Sequence, residues 1–332
     1  MICRNLAPFV LAILLLLIMV QFGTAQTTVN WIVPTTPWGH PDLQGIWNNV
    51  GVTPLERPAK FQGRRLLTDE EVAELAAHAF QRRTDGRRSE GNPSDPERLD
   101  RQELYYNRFW FPWGHVSRQT SLITDPSNGR LPAFTVAGRE RVAVSIETSQ
   151  GGGAFEAIGR RGTDGPEQRS LWERCLTRPL PRLPGPYNNN FQILQTPNHV
   201  VILMEMIHES RVIPLDGRPH ADSNVRQWLG DSRGHWEGST LVVETTNFSK
   251  KTDFIGSQEH LRLVERYTRI GPSEIVHEVR VEDPTTWTRS WTAEIPTRKS
   301  EDRIFEYACH EGNYGLVGIL AGARSVEEGS RR

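Results

Sequence analysis

The chain has 332 residues, a formal net charge of −1, 37% hydrophobic residues and ten Trp. That balance excludes a strongly basic nucleic-acid binder, a polytopic membrane protein and a helical coiled coil, while the aromatics and low net charge argue against disorder along the whole chain. Past the first 25 residues, Leu, Ile, Val and Phe number 68 of 307, which leaves a lean aliphatic core in one large or two small domains.

The first 25 residues read as an export signal. Arg4 precedes an apolar run at 6–20, and the small residues Gly23 and Ala25 precede Gln26, which predicts cleavage after Ala25. The run is about 15 residues where a membrane span needs about 20, so an uncleaved anchor is the weaker alternative. The mature protein is expected to be periplasmic or secreted from a bacterium, with no membrane attachment after cleavage.

Residues 26–185 read as a largely irregular wrapping region with one or two helices. The stretch 36–50 is a loop rich in Trp, Pro and Gly. One helix is predicted at 68–82, where Thr68 and Glu71 form a capping box and Val72, Leu75, Ala76 and Ala79 form an apolar stripe. A charged loop follows at 84–100. The run YYNRFWFPW at 105–113 is a core plug or the rim of a cleft, and Gly151, Gly152 and Gly153 read as a flexible turn.

Residues 186–324 change character. Short strand-like runs recur at 192–196, 199–207, 210–215, 235–236, 240–245, 261–270, 274–283, 288–295 and 303–309, separated by turn residues. The fold class this predicts is mainly β, an antiparallel meander closed into a lipocalin-like barrel, since closure removes bare sheet edges. Alternation puts Ile275, His277, Val279 and Val281 inside, together with Glu265, Tyr267, Trp291, Ala293 and Ile295. Residues 325–332 read as a disordered tail.

Cys3 leaves with the leader, so Cys175 and Cys309 remain. In an oxidising compartment they are expected to pair; two buried free thiols are the alternative.

Several stretches carry a resemblance: PWGHPDLQGIWNN at 37–49, LITDPSNGRLP at 122–132, GDSRGHWEGSTLVVETTNF at 230–248, DPTTWTRSWTAEIP at 283–296 and EYACHEGNYGLVGILAGAR at 306–324. They resemble a large family of exported bacterial proteins. The resemblance implies export but brings no activity and no site residues with it. The C-terminal strand pattern is similar to lipocalin-like barrels, which bears on fold alone.

Three groups of residues carry candidate chemistry. His208, Arg211, His220 and Asp222, with Glu205, have residue types suited to a metal or to acid–base work, but their spacing matches no zinc signature, and no metal or other cofactor is called for. Glu265, Tyr267, His277, Trp291 and Tyr307 are expected to line a cavity, where a buried carboxyl would titrate upward and serve as an acid; a filled core with local hydrogen bonds competes with that reading. Tyr187, Asn188, Asn189 and Asn190 offer donors and acceptors to a ligand, or else brace loops. His310 is expected near a barrel mouth. Nucleotide-binding glycine motifs, the zinc-protease pair and CxxC are missing from the sequence.

The expected function is binding of a small apolar or aromatic molecule, or a saccharide, through Tyr187, Asn189, Arg211, Tyr267, Trp291 and Tyr307. One alternative is a cofactor-independent lyase, isomerase or hydrolase using His208, His277, Glu265 or His310. Another is a structural envelope protein with a filled barrel. A small molecule is the expected partner in the first two cases, and nucleic acid in none.

Overall fold

A computed structural model describes residues 31–84, 116–146, 163–185 and 187–330. The expected leader at 1–25, almost all of the charged loop, the aromatic run at 105–113 and the three glycines at 151–153 lie outside these residues.

Ten antiparallel strands are present: β1 (Gly45–Asn48), β2 (Ile123–Asp125), β3 (Asn190–Gln195), β4 (His199–Met204), β5 (Ser210–Pro214), β6 (Asp231–Glu237), β7 (Thr240–Thr246), β8 (Arg262–Gly271), β9 (Glu274–Glu282) and β10 (Trp291–Lys299). They form one sheet in the order β5-β4-β3-β1-β10-β9-β8-β7-β6, with β2 also paired to β10. The sheet curls until it is nearly closed into a barrel, with β5 facing β6 across the seam.

Alternation places the inner face as expected. Ile275, Val279, Val281, Trp291, Ala293 and Ile295 are buried, and so are Glu265, Tyr267 and His277. Two apolar clusters fill the interior. One gathers Leu43, Trp47, Phe191, Ile193, Ile213, Leu241 and Tyr267. The other gathers Leu122, Leu180, Phe248, Phe254, Leu263, Trp287 and Trp291. Trp287 and Trp291 meet edge to face at 5.7 Å, an arrangement favoured by the ring quadrupoles.

The seam explains a glycine in β6. A methyl group on Gly234 would come within 2.8 Å of both Ile213 and Leu215 on the β5 side. Gly234→Ala is therefore expected to cost about 1–3 kcal/mol through overpacking, measured as a lowered urea midpoint. An unchanged midpoint would show that the seam yields freely.

Four differences from the sequence reading have physical causes. First, residues 303–309 are not a strand, and Phe305 is 64% exposed. β10 already has β9 on one edge and β1 and β2 on the other, so no ladder is left for this segment to join. Second, the sheet instead takes β1 from the irregular half, pairing Trp47 with Phe191 on one side and Lys299 on the other. Third, β10 starts and ends later than expected, because Asp283 caps a longer turn by accepting from Thr285 N and Thr286 Oγ1. The strand runs through Pro296 because Glu294 N donates to Leu122 O on the β2 side, so two residues on, the proline's missing N–H faces the gap between β2 and β1. Fourth, the chain past 325, expected as a tail, continues as helix to Ser330.

Three α-helices accompany the barrel: α1 (Asp69–Thr84), α2 (Val136–Ile146) and α3 (Tyr314–Ser330). Thr68 caps α1, with Glu71 N donating to Thr68 Oγ1 at 3.2 Å and Thr68 N donating to Glu71 Oε2 at 2.8 Å. Thr68→Ala is expected to cost about 1 kcal/mol of local stability, seen as faster amide exchange in the first turn of α1. Arg141 of α2 donates to the carbonyl oxygens of Gly256 and Thr285, fixing the helix on the turn before β10. None of the described helices is long and apolar enough to cross a membrane.

Candidate functional site

A buried polar group sits between the two apolar clusters. Glu265 of β8 is 1% exposed, and Arg211 reaches it from β5 across the seam. Arg211 Nη2 donates to Glu265 Oε2 at 2.6 Å and Nη1 donates to Oε1 at 3.2 Å. Tyr267 Oη also donates to Oε1, at 2.9 Å, and His277 Nε2 lies 3.2 Å from the same oxygen. The Tyr267 and His277 rings stack 4.2 Å apart. Arg211 Nη2 further reaches Ser232 Oγ and Thr245 Oγ1, which bond to each other at 2.9 Å.

The strands dictate this convergence. Glu265 and Tyr267 are two apart on β8 and so share its inner face, and Tyr267 stands opposite His277 in the β8–β9 register. Burial by itself would drive the Glu265 carboxyl upward, yet the Arg211 charge and the His277 contact hold it below the usual carboxylate range. The expected neutral acid is thus corrected to an anion, because the sequence gives no sign that Arg211 crosses the seam. Burial, reinforced by the Glu265 charge, keeps the Tyr267 phenol well above its usual range.

Trp291 is not part of this group; it packs against Phe254 and Trp287 in the other cluster. Tyr267 and Trp291, expected to share one lining, thus belong to different apolar clusters.

A second polar group lies at the end of the barrel where the β4–β5 turn meets residues 177–185 and 187–190. Glu209 accepts from Arg178 N at 3.0 Å and from Thr177 Oγ1, and it pairs with Arg182. Arg182 is 8% exposed, and its Nε and Nη1 have no hydrogen-bond partner among the described residues. The same is true of Arg211 Nε and Glu205 Oε2, while Glu205 Oε1 accepts from Asn188 Nδ2 at 3.1 Å. Burial first, then the Arg178 and Arg211 charges, push the Arg182 guanidinium well below its usual range. Burial also lowers Arg178, against the opposing influence of Tyr187 and Tyr307. The turn itself is strained: Ile207 and His208 take φ of 63° and 43°, the left-handed region that costs a β-branched side chain most.

No family model, curated protein or solved structure matches this chain. Fold and chemistry are therefore read from the barrel alone.

The structure brings together Arg211, Glu265, Tyr267 and His277 in one group, while Tyr187 precedes β3 and Tyr307 lies in the segment after β10. His208 and His310 are exposed, the first on the strained turn and the second in the turn before α3. His220 is elsewhere, with its Nδ1 2.9 Å from Asp231 Oδ2. Asn189 braces a loop, accepting from Gly185 N and donating to Gly185 O. The sequence reading passed over Arg178, Arg182 and Glu209. The only signal for the two arginines was a run of Arg and Pro at 178–184 inside a region read as irregular.

Cys175 and Cys309 form a disulfide with Cα atoms 5.6 Å apart. It anchors the segment carrying Tyr307, and Asn313 Nδ2 adds a bond to Glu173 O at 2.8 Å. The disulfide fits an oxidising compartment.

Proposed function

We propose that this is an exported, periplasmic or secreted protein that binds a small molecule at the capped end of its barrel. One observation carries the reading: deeply buried guanidinium and carboxylate atoms at that end, in Arg182, Arg211 and Glu205, have no hydrogen-bond partner among the described residues. Native proteins leave few such atoms, and a ligand or ordered water is the usual explanation. Tyr187 and Tyr307, which bear electrostatically on Arg178, supply aromatic surface for the same ligand. The acid–base alternative loses its carboxylate, because both oxygens of Glu265 are already bonded.

Native mass spectrometry of the mature protein purified from its own host tests this. A small molecule of defined mass that is retained on the folded protein and lost on denaturation is the expected result. Protein that is empty from the host and silent toward a metabolite library would overturn the reading.

A further inference from the structure

Of the two polar groups, the one inside the barrel is internally satisfied at its carboxylate, and the one at the barrel end is not. The imbalance there has a sign. Setting aside Arg182 Nη2 and Glu209 Oε2, which pair with each other, the orphaned donors are Arg182 Nε and Nη1 and Arg211 Nε, against one orphaned acceptor, Glu205 Oε2. We propose that the site anchors its ligand through an oxyanion, a carboxylate or a phosphate, seated against Arg182 and Arg211. This rests on the small-molecule reading above and names the chemistry of the ligand's anchoring group.

Guanidinium groups are the side chains best matched to such groups, because their planar fork donates in parallel to two oxygens. Arg182 has one carboxylate partner, Glu209, which is shared with Thr177 and the Arg178 backbone. Arg211 has Glu265. Glu209 and Glu265 are therefore taken, Glu205 offers one open oxygen, and the Arg178 and Arg211 charges still act against Arg182 in a water-poor setting. An added oxyanion relieves that repulsion and fills the open donors together. A neutral ligand does only the second.

A crevice of about 30 Å³ is lined by Trp172, Thr177, Pro179, Lys251 and Asp253 among others. Of its lining residues, Thr177 bonds through its hydroxyl to Glu209, which in turn pairs with Arg182.

The test uses the whole mature protein with inorganic phosphate and benzoate as probes, each against sodium chloride at equal ionic strength. A saturable rise in melting temperature with phosphate alone assigns a phosphate ligand, and with benzoate alone a carboxylate ligand. Either result, or both, supports the proposal. Arg182→Lys, which keeps the charge but loses the fork, is expected to weaken the apparent Kd at least tenfold. The surface variant Arg266→Lys, which alters a half-exposed ion pair with Glu237, is expected to leave it unchanged. Should Arg182→Lys fail to fold, phenylglyoxal labelling of the native protein replaces it, with peptide mass spectrometry expected to show Arg182 protected by the effective anion. No response beyond chloride, an unweakened Arg182→Lys, or no protection of Arg182 overturns the proposal. A neutral molecule retained from the host together with no anion response would leave the binding reading standing and remove the oxyanion. An empty protein with no anion response removes both.

Discussion

Glu265→Ala is expected to destabilise the protein by about 3–5 kcal/mol, because it strands Arg211 as a buried cation without its counter-ion. Arg211 would keep only Ser232 and Thr245, neither of which carries charge. Replacing both partners by apolar residues of similar bulk, Arg211→Met with Glu265→Leu, is expected to restore most of that loss, since a buried ion pair contributes little beyond its own desolvation cost. Urea denaturation of the two variants measures the difference. A double variant as unstable as the single one would mean that the pair is needed for more than charge balance.

The same carboxylate sets a pH dependence. Its pKa is lower in the folded protein than in the unfolded chain, where Glu titrates near about 4.3. The unfolded state therefore takes up the proton first as pH falls, and the stability contributed by Glu265 is complete above that value and lost below it. Asp231, Glu244, Glu282 and Asp283 are also held low by their partners, so the wild-type slope alone is not specific. The informative quantity is the gap between wild type and Glu265→Gln. It is expected to be constant from pH 7 to 5 and to shrink from pH 4.5 toward 3; a gap that does not change across that range would contradict the ion-pair account.

Reduction of the disulfide is expected to have an effect of similar size. Cys175 and Cys309 are 134 residues apart, and releasing a loop of that length returns about 5 kcal/mol of chain entropy to the unfolded state in the loop-closure model. The segment around Tyr307 has no ladder to hold it, so the loss also has a local face. After reduction, proteolysis is expected to cut first between 300 and 313, before the barrel unfolds. Simultaneous cleavage of barrel and segment would show that the segment is held by packing.

Much of the barrel was legible because period-two alternation with short turns is a strong local signal. The stretches around His277 and Trp291 show it plainly, and their inward faces followed from counting by two. β6 was seen only at His235 and Trp236, because Ser232, Arg233 and Gly234 have little strand preference of their own and depend on the β7 ladder. The false strand at 303–309 shows the limit of the same signal: alternation states which side chains share a face, but not whether a partner edge is free. The site was half legible for a related reason. Glu265, Tyr267 and His277 are neighbours on adjoining strands, whereas Arg211, Arg178 and Arg182 arrive through closure of the sheet and through a segment without periodicity.

The placement of β1 bears on how the chain reaches this state. Gly45–Asn48 lies between β3 and β10, with Trp47 and Asn48 opposite Lys299 and Arg298, so one of the earliest segments to leave the ribosome waits for one of the last. Such distant pairings slow the rate-limiting step of folding. Until β10 arrives, β1 and β3 can form only an open ribbon with a bare edge. The barrel therefore cannot close before its C-terminal strand is in place.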